Sequence, residues 1–139
     1  MRRRGFSLIE TLACVVIAAA LARTGSLTAV SLATSLRVAT SARTLAQTMR
    51  ATRARAMAEG RPLEVRFDAA ASRWSVRTDD GTIRHDEPLP DPVRFTSLPA
   101  RAVIRFGATG TADNGTVVLG AGASSARIVV NQRGRVRLG

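Results

Sequence analysis

The sequence predicts an α+β chain in which a long N-terminal α-helix, transmembrane in its first half, packs on a small antiparallel β-sandwich-like C-terminal domain. Three observations carry this. An apolar run follows a basic leader at the very start, a helix-spaced stripe without proline or glycine crosses 36–58, and the hydrophobic period becomes two after Pro62.

The leader is Met1 to Gly5, with Arg2, Arg3 and Arg4 inside it. An apolar stretch from Phe6 to Ala22 follows, with Glu10 as its only charge. Basic residues ahead of such a run keep the leader in the cytoplasm and send the rest outward. About 17 residues is the lower limit for crossing roughly 30 Å of hydrocarbon. Beyond Arg23, Thr24 to Leu36 carries no charge, so the helix can emerge gradually. Gly25 has two readings, a hinge or a tolerated helix glycine. Ala18 to Ala20 could pass for a secretory cleavage site, but the leader is very short and Glu10 sits badly in a signal core.

Residues 36–58 read as an amphipathic helix outside the membrane, within one helix over 6–58. Val38, Ala42, Leu45, Met49, Thr52 and Ala56 fall at steps of four and three, which gathers them on one face. That stripe is expected to dock on the C-terminal domain. Arg43, Arg50 and the border residue Arg53 project elsewhere, either as solvated surface or as contacts to partner subunits. Gly60 and Pro62 end the pattern, as a capping glycine followed by proline does. As one helix, Phe6 to Ala58 spans on the order of 80 Å, a rod better suited to packing in a filament than to an enzyme.

The domain occupies 62–139. Leu63 to Phe67 and Arg73 to Arg77 alternate and pair as a hairpin across Asp68 to Ser72. Further strands are expected at Thr82 to Arg84, Val93 to Thr96, Val103 to Phe106, Thr116 to Leu119, Arg127 to Val130 and Arg135 to Leu138. Asp79-Asp80-Gly81, Asn114-Gly115 and Arg133-Gly134 supply turn chemistry. Phe67, Trp74, Phe95 and Phe106 are the expected core between sheet and helix.

All 21 basic residues are arginine, against ten acidic ones, for a net charge of +11. Loss of Met1 to Gly5 would remove three of them and leave 11 − 3 = +8. An acidic partner is therefore in view, whether nucleic acid, anionic lipid or another subunit. Cys14 is the one cysteine and His85 the one histidine, which excludes an intrachain disulfide and zinc-finger spacing. His85, followed by Asp86 and Glu87 in a polar loop, reads as a satisfied or solvated histidine rather than a catalytic or metal-binding one. No Ser/His/Asp set, phosphate loop or carboxylate pair can be assembled, so no cofactor, no metal and no enzymatic activity are expected.

Gly5-Phe6-Ser7-Leu8-Ile9-Glu10 resembles the class III signal of type IV prepilins and type II secretion pseudopilins. The resemblance implies cleavage by the prepilin peptidase between Gly5 and Phe6, N-methylation of Phe6, and an apolar run that survives as an inner-membrane anchor with the C-terminal domain in the periplasm. A carboxylate inside a membrane helix costs at least a few kcal/mol unless paired. The amine of Phe6 on a neighbouring subunit is the partner that chemistry and resemblance both suggest for Glu10; the alternative is that Glu10 snorkels to the headgroups. Phe106 to Gly110, Asn114 to Leu119, Arg127 to Val130 and Gly134 to Arg137 are similar to the C-terminal half of the GspH/FimT pseudopilin family. Membership implies a minor subunit at or near the tip of a short filament, with other pilins or pseudopilins as partners.

Arg135 and Arg137, two apart in an expected strand, leave on one face, with Val136 and Leu138 on the other. Some FimT-like pilins take up DNA through a Gly-Arg-x-Arg motif, which Gly134-Arg135-Val136-Arg137 matches, and Arg133 lies beside it. The motif implies backbone contacts to double-stranded DNA. The opposing reading is a solvated edge strand whose arginines discourage aggregation.

Overall fold

The computed structural model describes residues 8–139, with backbone alone for 21–29. The chain divides into two units, Met1–Ala33 and Thr34–Gly139. A 52-residue helix α1 (Leu8–Glu59) belongs partly to each. Eight strands follow: β1 (Leu63–Asp68), β2 (Arg73–Thr78), β3 (Ile83–Pro88), β4 (Arg94–Ser97), β5 (Val103–Phe106), β6 (Gly115–Ala121), β7 (Ser124–Val130) and β8 (Val136–Leu138).

In the first unit, the side chains of 8–20 are exposed throughout. Among the described residues no helix is long and apolar enough to cross a membrane. The expected anchor over 6–22 begins at Phe6, outside the described residues, and the run itself is short and carries Glu10.

In the second unit the expected stripe is the packed face of α1. Val38, Ala42, Leu45, Met49, Thr52 and Ala56 are each at most 2 % exposed, and Ala46 joins them at 0 %. Thr52 satisfies its hydroxyl on the Thr48 carbonyl at 2.7 Å, so a polar residue sits in the stripe without an orphaned group. Full burial of Leu45 or Met49 stabilises by roughly 1.5–3 kcal/mol each. Gly60 takes φ +64° and the Arg61 amide donates to the Ala56 carbonyl at 3.2 Å. That six-to-one bond is the Schellman closure, and it ends the helix where the sequence indicates.

Two four-stranded antiparallel sheets form, ordered β3-β2-β1-β5 and β4-β6-β7-β8. Alternation decides which face of each is buried: Leu63, Val65 and Phe67 from β1 meet Trp74 and Val76 from β2, while Val117, Leu119, Ile128 and Val130 come from the second sheet. Phe67 and Phe95 link the sheets edge-to-face, with ring centroids 5.6 Å apart. Trp74 is 1 % exposed and its indole N–H is buried without a hydrogen-bond partner, a local cost set against the large apolar area it fills.

Three expectations need correction. Asn114-Gly115 does not close a hairpin: it leads into β6, and the β6–β7 hairpin turns at Gly122 with φ +57°, three residues after Leu119 and five before Arg127, the expected strand ends. The alternation there is masked by Gly120, Ala121, Gly122 and Ala123, small residues that read as loop. The third strand extends to Pro88, because as a sheet edge it pairs only with β2 and its polar residues face solvent. Finally, Leu138 is 42 % exposed rather than sharing the buried side of Val136, since β8 ends there at the rim of the sheet.

Candidate functional site

Glu10 lies in the first described turn of α1 and is exposed. Around it Leu8, Ile9, Leu12, Val15, Val16 and Ile17 are all between 57 % and 80 % exposed. Among the described residues of this unit nothing covers them. Gly5 and Phe6 lie outside the described residues.

The other group gathers at the C-terminal end. The β7–β8 connection folds on short bonds: the Gly134 amide donates to the Asn131 carbonyl at 2.8 Å, the Asn131 amide to the Arg135 carbonyl at 3.2 Å, and Asn131 Oδ1 accepts the Arg135 amide at 2.9 Å. Gly134 takes φ +70° and is buried, while Arg133, Arg135 and Arg137 are exposed. Arg133 and Arg135 line one shallow hollow of about 310 Å³ with Asn114, Asn131 and Gln132. The tight turn thus aims the three guanidinium groups at solvent while its glycine turns inward. From 115 to 139 there are four arginines and no acid, so this stretch of the chain carries only positive charge.

What Gly134 turns towards was not legible in the sequence. Arg53 of α1 donates from Nε to the Gly110 carbonyl at 2.8 Å. A Cβ placed on Gly134 would meet Arg53 and the Gly110 carbonyl, and one on Gly110 would meet Met57 Sδ at 2.6 Å. Two glycine turns therefore close on one helix arginine. One turn earlier Arg50 donates from Nη2 to the Val136 carbonyl at 3.0 Å, on the side of β8 that has no neighbouring strand. Arg50 and Arg53 are neither simply solvated nor free for a partner; they tie the helix to the C-terminal turn. The available signal was the three-residue spacing of Arg50 and Arg53 at the border of the buried stripe.

A second charged knot sits at the helix C-terminus. Glu59 Oε2 accepts from Arg61 at 2.7 Å, and that hydrogen bond holds its pKa below the usual carboxylate value. Asp80 closes the β2–β3 turn by accepting from the Thr78 hydroxyl and from the Thr82 amide at 2.8 Å. Those bonds lower its pKa to about 2. His85 lies not in the expected loop but on the exposed edge strand β3, paired in register with Val76, and contacts Glu87 at 3.0 Å. Among the described residues no group of three or more His, Cys, Asp or Glu is placed to hold a metal.

A family model described as type II transport protein GspH matches residues 41–134, a stretch holding the buried helix stripe from Ala42 onward, both clasping glycines and all strands but β8. The chain belongs to the GspH family. Its fold is also similar to solved minor pilins. The minor pseudopilin EpsH from the type 2 secretion system of Vibrio cholerae aligns in two structures: TM-score 0.64 at 14 % identity, covering 76 % of this chain and 97 % of that one, and 0.62 at 16 %, covering 74 % and 96 %. The type IV minor pilin FimU of Pseudomonas aeruginosa aligns with TM-score 0.60 at 16 % identity, covering 73 % of this chain and 87 % of that one. At such identities the likeness concerns the fold: a helix on two small antiparallel sheets. No curated protein matches the sequence.

Proposed function

We propose that this GspH-family chain is a minor pseudopilin, a structural subunit at or near the tip of a periplasmic filament of a type II secretion or type IV pilus machine. The observation that carries it is the contrast along one helix. The stripe from Val38 to Ala56 is packed, whereas the large apolar side chains from Leu8 to Ile17 present a surface that the other described residues of their unit leave bare. Bare apolar area of that extent seeks lipid or other helices, at roughly 25 cal/mol per Å² removed from water.

In this reading Met1 to Gly5 are removed by the prepilin peptidase and the Phe6 amine is methylated. The apolar stretch holds the subunit in the inner membrane, with its domain in the periplasm, until assembly. There Glu10 pairs with the Phe6 amine of a neighbouring pilin or pseudopilin, because an unpaired carboxylate among apolar helices is too costly. Mass spectrometry of the native protein tests the processing step. A mature chain starting at methylated Phe6, and a retained leader when the peptidase is deleted, are expected; any other start overturns it.

A second reading is favoured by the exposure of Arg133, Arg135 and Arg137 in an acid-free segment: contact with the phosphates of double-stranded DNA. The family description and the relatives' names are silent on DNA. Gel shifts with the full chain in detergent decide it. Binding that weakens steeply with salt and is lost on replacing Arg135 and Arg137 by alanine is expected, and unchanged binding removes the role.

A further inference from the structure

The outer face of the first sheet carries a second basic feature, away from the C-terminal turn. Strand register puts Ser75 at its centre: Arg66 of β1 and Asp86 of β3 are its direct cross-strand partners. Arg73 and Arg77 lie two positions away on β2, and so on the same face. A small side chain ringed by long ones leaves a depression. It measures about 480 Å³, with Arg101 from the loop before β5 completing the wall and Ile83, 52 % exposed, on the rim.

The charges in this hollow are incompletely matched. Arg73 pairs with Asp86 at 3.3 Å, and Arg66 with Glu64 at 3.5 Å. Among the described residues Arg77 forms no ion pair and gives its Nε–H to the neutral Ser75 hydroxyl at 3.1 Å. Arg101 forms no ion pair among the described residues. The lining holds four arginines and two aspartates, Asp68 and Asp86, so 4 − 2 leaves +2.

That balance selects the ligand. A continuous run of phosphates would meet Asp68 and Asp86 as well as the arginines, and repulsion from fixed acids in the same hollow disfavours a polyanion. One or two carboxylates, by contrast, match the two guanidinium forks that lack an acid, through paired charge-assisted bonds. The apolar rim at Ile83 accommodates an aliphatic neighbour of the acid. We infer that the hollow over Ser75 is a docking site for a glutamate- or aspartate-bearing segment of an adjacent protein subunit, received by Arg77 and Arg101. The filament reading supplies only the source of that segment; the chemistry of the hollow does not depend on it.

The test uses the full chain in detergent micelles, with the arginine Nε–H signals followed by NMR and the blocked peptide acetyl-Leu-Glu-Glu-Leu-amide as probe. The peptide is expected to shift the Arg77 and Arg101 signals. Its Kd should weaken at least about tenfold when both arginines become glutamine. The same loss is expected in Ser75→Gln, which fills the hollow without removing a charge. Binding should be unchanged when Arg135 and Arg137 become glutamine. A peptide that does not bind, or binds equally to both hollow variants, overturns the inference, as does a short DNA duplex that displaces it from the same two signals. Any of these three failures leaves the processing of Phe6, measured separately, as the criterion for the filament reading.

Discussion

Gly134 and Arg53 approach so closely that no side chain fits between them. A Cβ at Gly134 would lie 2.8 Å from Arg53 Cδ and nearer still to its Nε and to the Gly110 carbonyl, in a backbone at φ +70°. The left-handed conformation alone costs a non-glycine residue about 1–2 kcal/mol, and the clash adds to it. Gly134→Ala is therefore expected to lower stability by at least about 2 kcal/mol, read as a shifted denaturant midpoint. Combined with Arg53→Ala the loss should be less than additive, because the shortened side chain relieves one of the two clashes. A Gly134→Ala protein as stable as the parent would show that this turn can move away from the helix.

Arg53 and Arg50 make similar bonds in unlike surroundings. The first is half-buried between two turns, the second exposed beside a sheet edge. Replacing Arg53 by methionine keeps the apolar stem but leaves the Gly110 carbonyl without its charged donor, an expected loss of about 1.5–3 kcal/mol. Arg50→Met exposes the Val136 carbonyl to water that can replace the bond, so about 1 kcal/mol or less is expected. Its larger effect should be on association, since the uncovered β8 edge becomes available for pairing. Sedimentation of the two variants separates these outcomes.

The particular residues explain how much was legible. The helix stripe was, because burial on α1 repeats every three and four residues and every member of the series is 2 % exposed or less. β1 was too, since it alternates cleanly, and β2 and β5 were legible from short apolar-bearing runs beside turn residues, although Ser75 is buried with its neighbours and Val103 and Ile104 stand side by side. The bodies of β6 and β7 were legible as well, but not the turn that joins them: glycine and alanine at 120–123 carry no alternation signal. At the candidate site the exposed arginines could be placed from their period of two. The role of Gly134 could not, because the atoms it must avoid belong to residues 53 and 110, which only the fold brings together.

Asp80 gives a pH dependence of definite sign. Its pKa falls to about 2 because the Thr78 hydroxyl and the Thr82 amide donate to the ionised form. The unfolded group titrates near 3.9. A lowered folded pKa means that the stabilisation is complete above the unfolded value and is lost as pH falls from about 4 towards 2. The Thr82 amide signal should hold its shift down to about pH 3 and then move. In Asp80→Asn that movement should vanish, and a signal that titrates near pH 4 in the parent would show that these bonds do not favour the ionised form.

Leu45 and Arg43 stand two residues apart on α1 and face opposite fates. Leu45 is 0 % exposed in the core between helix and sheets, and Arg43 is exposed. Leu45→Ala should cost about 2–5 kcal/mol through lost burial and the cavity left behind, whereas Arg43→Ala should stay within about 0.5 kcal/mol. Function should separate them the other way. If the exposed faces of α1 meet neighbouring subunits, Arg43→Glu, which reverses a surface charge without touching the core, reduces incorporation into filaments at unchanged stability. Full incorporation of Arg43→Glu would place subunit contacts on other faces of the helix, and a fall in its denaturant midpoint would mark Arg43 as part of the folded domain's own support.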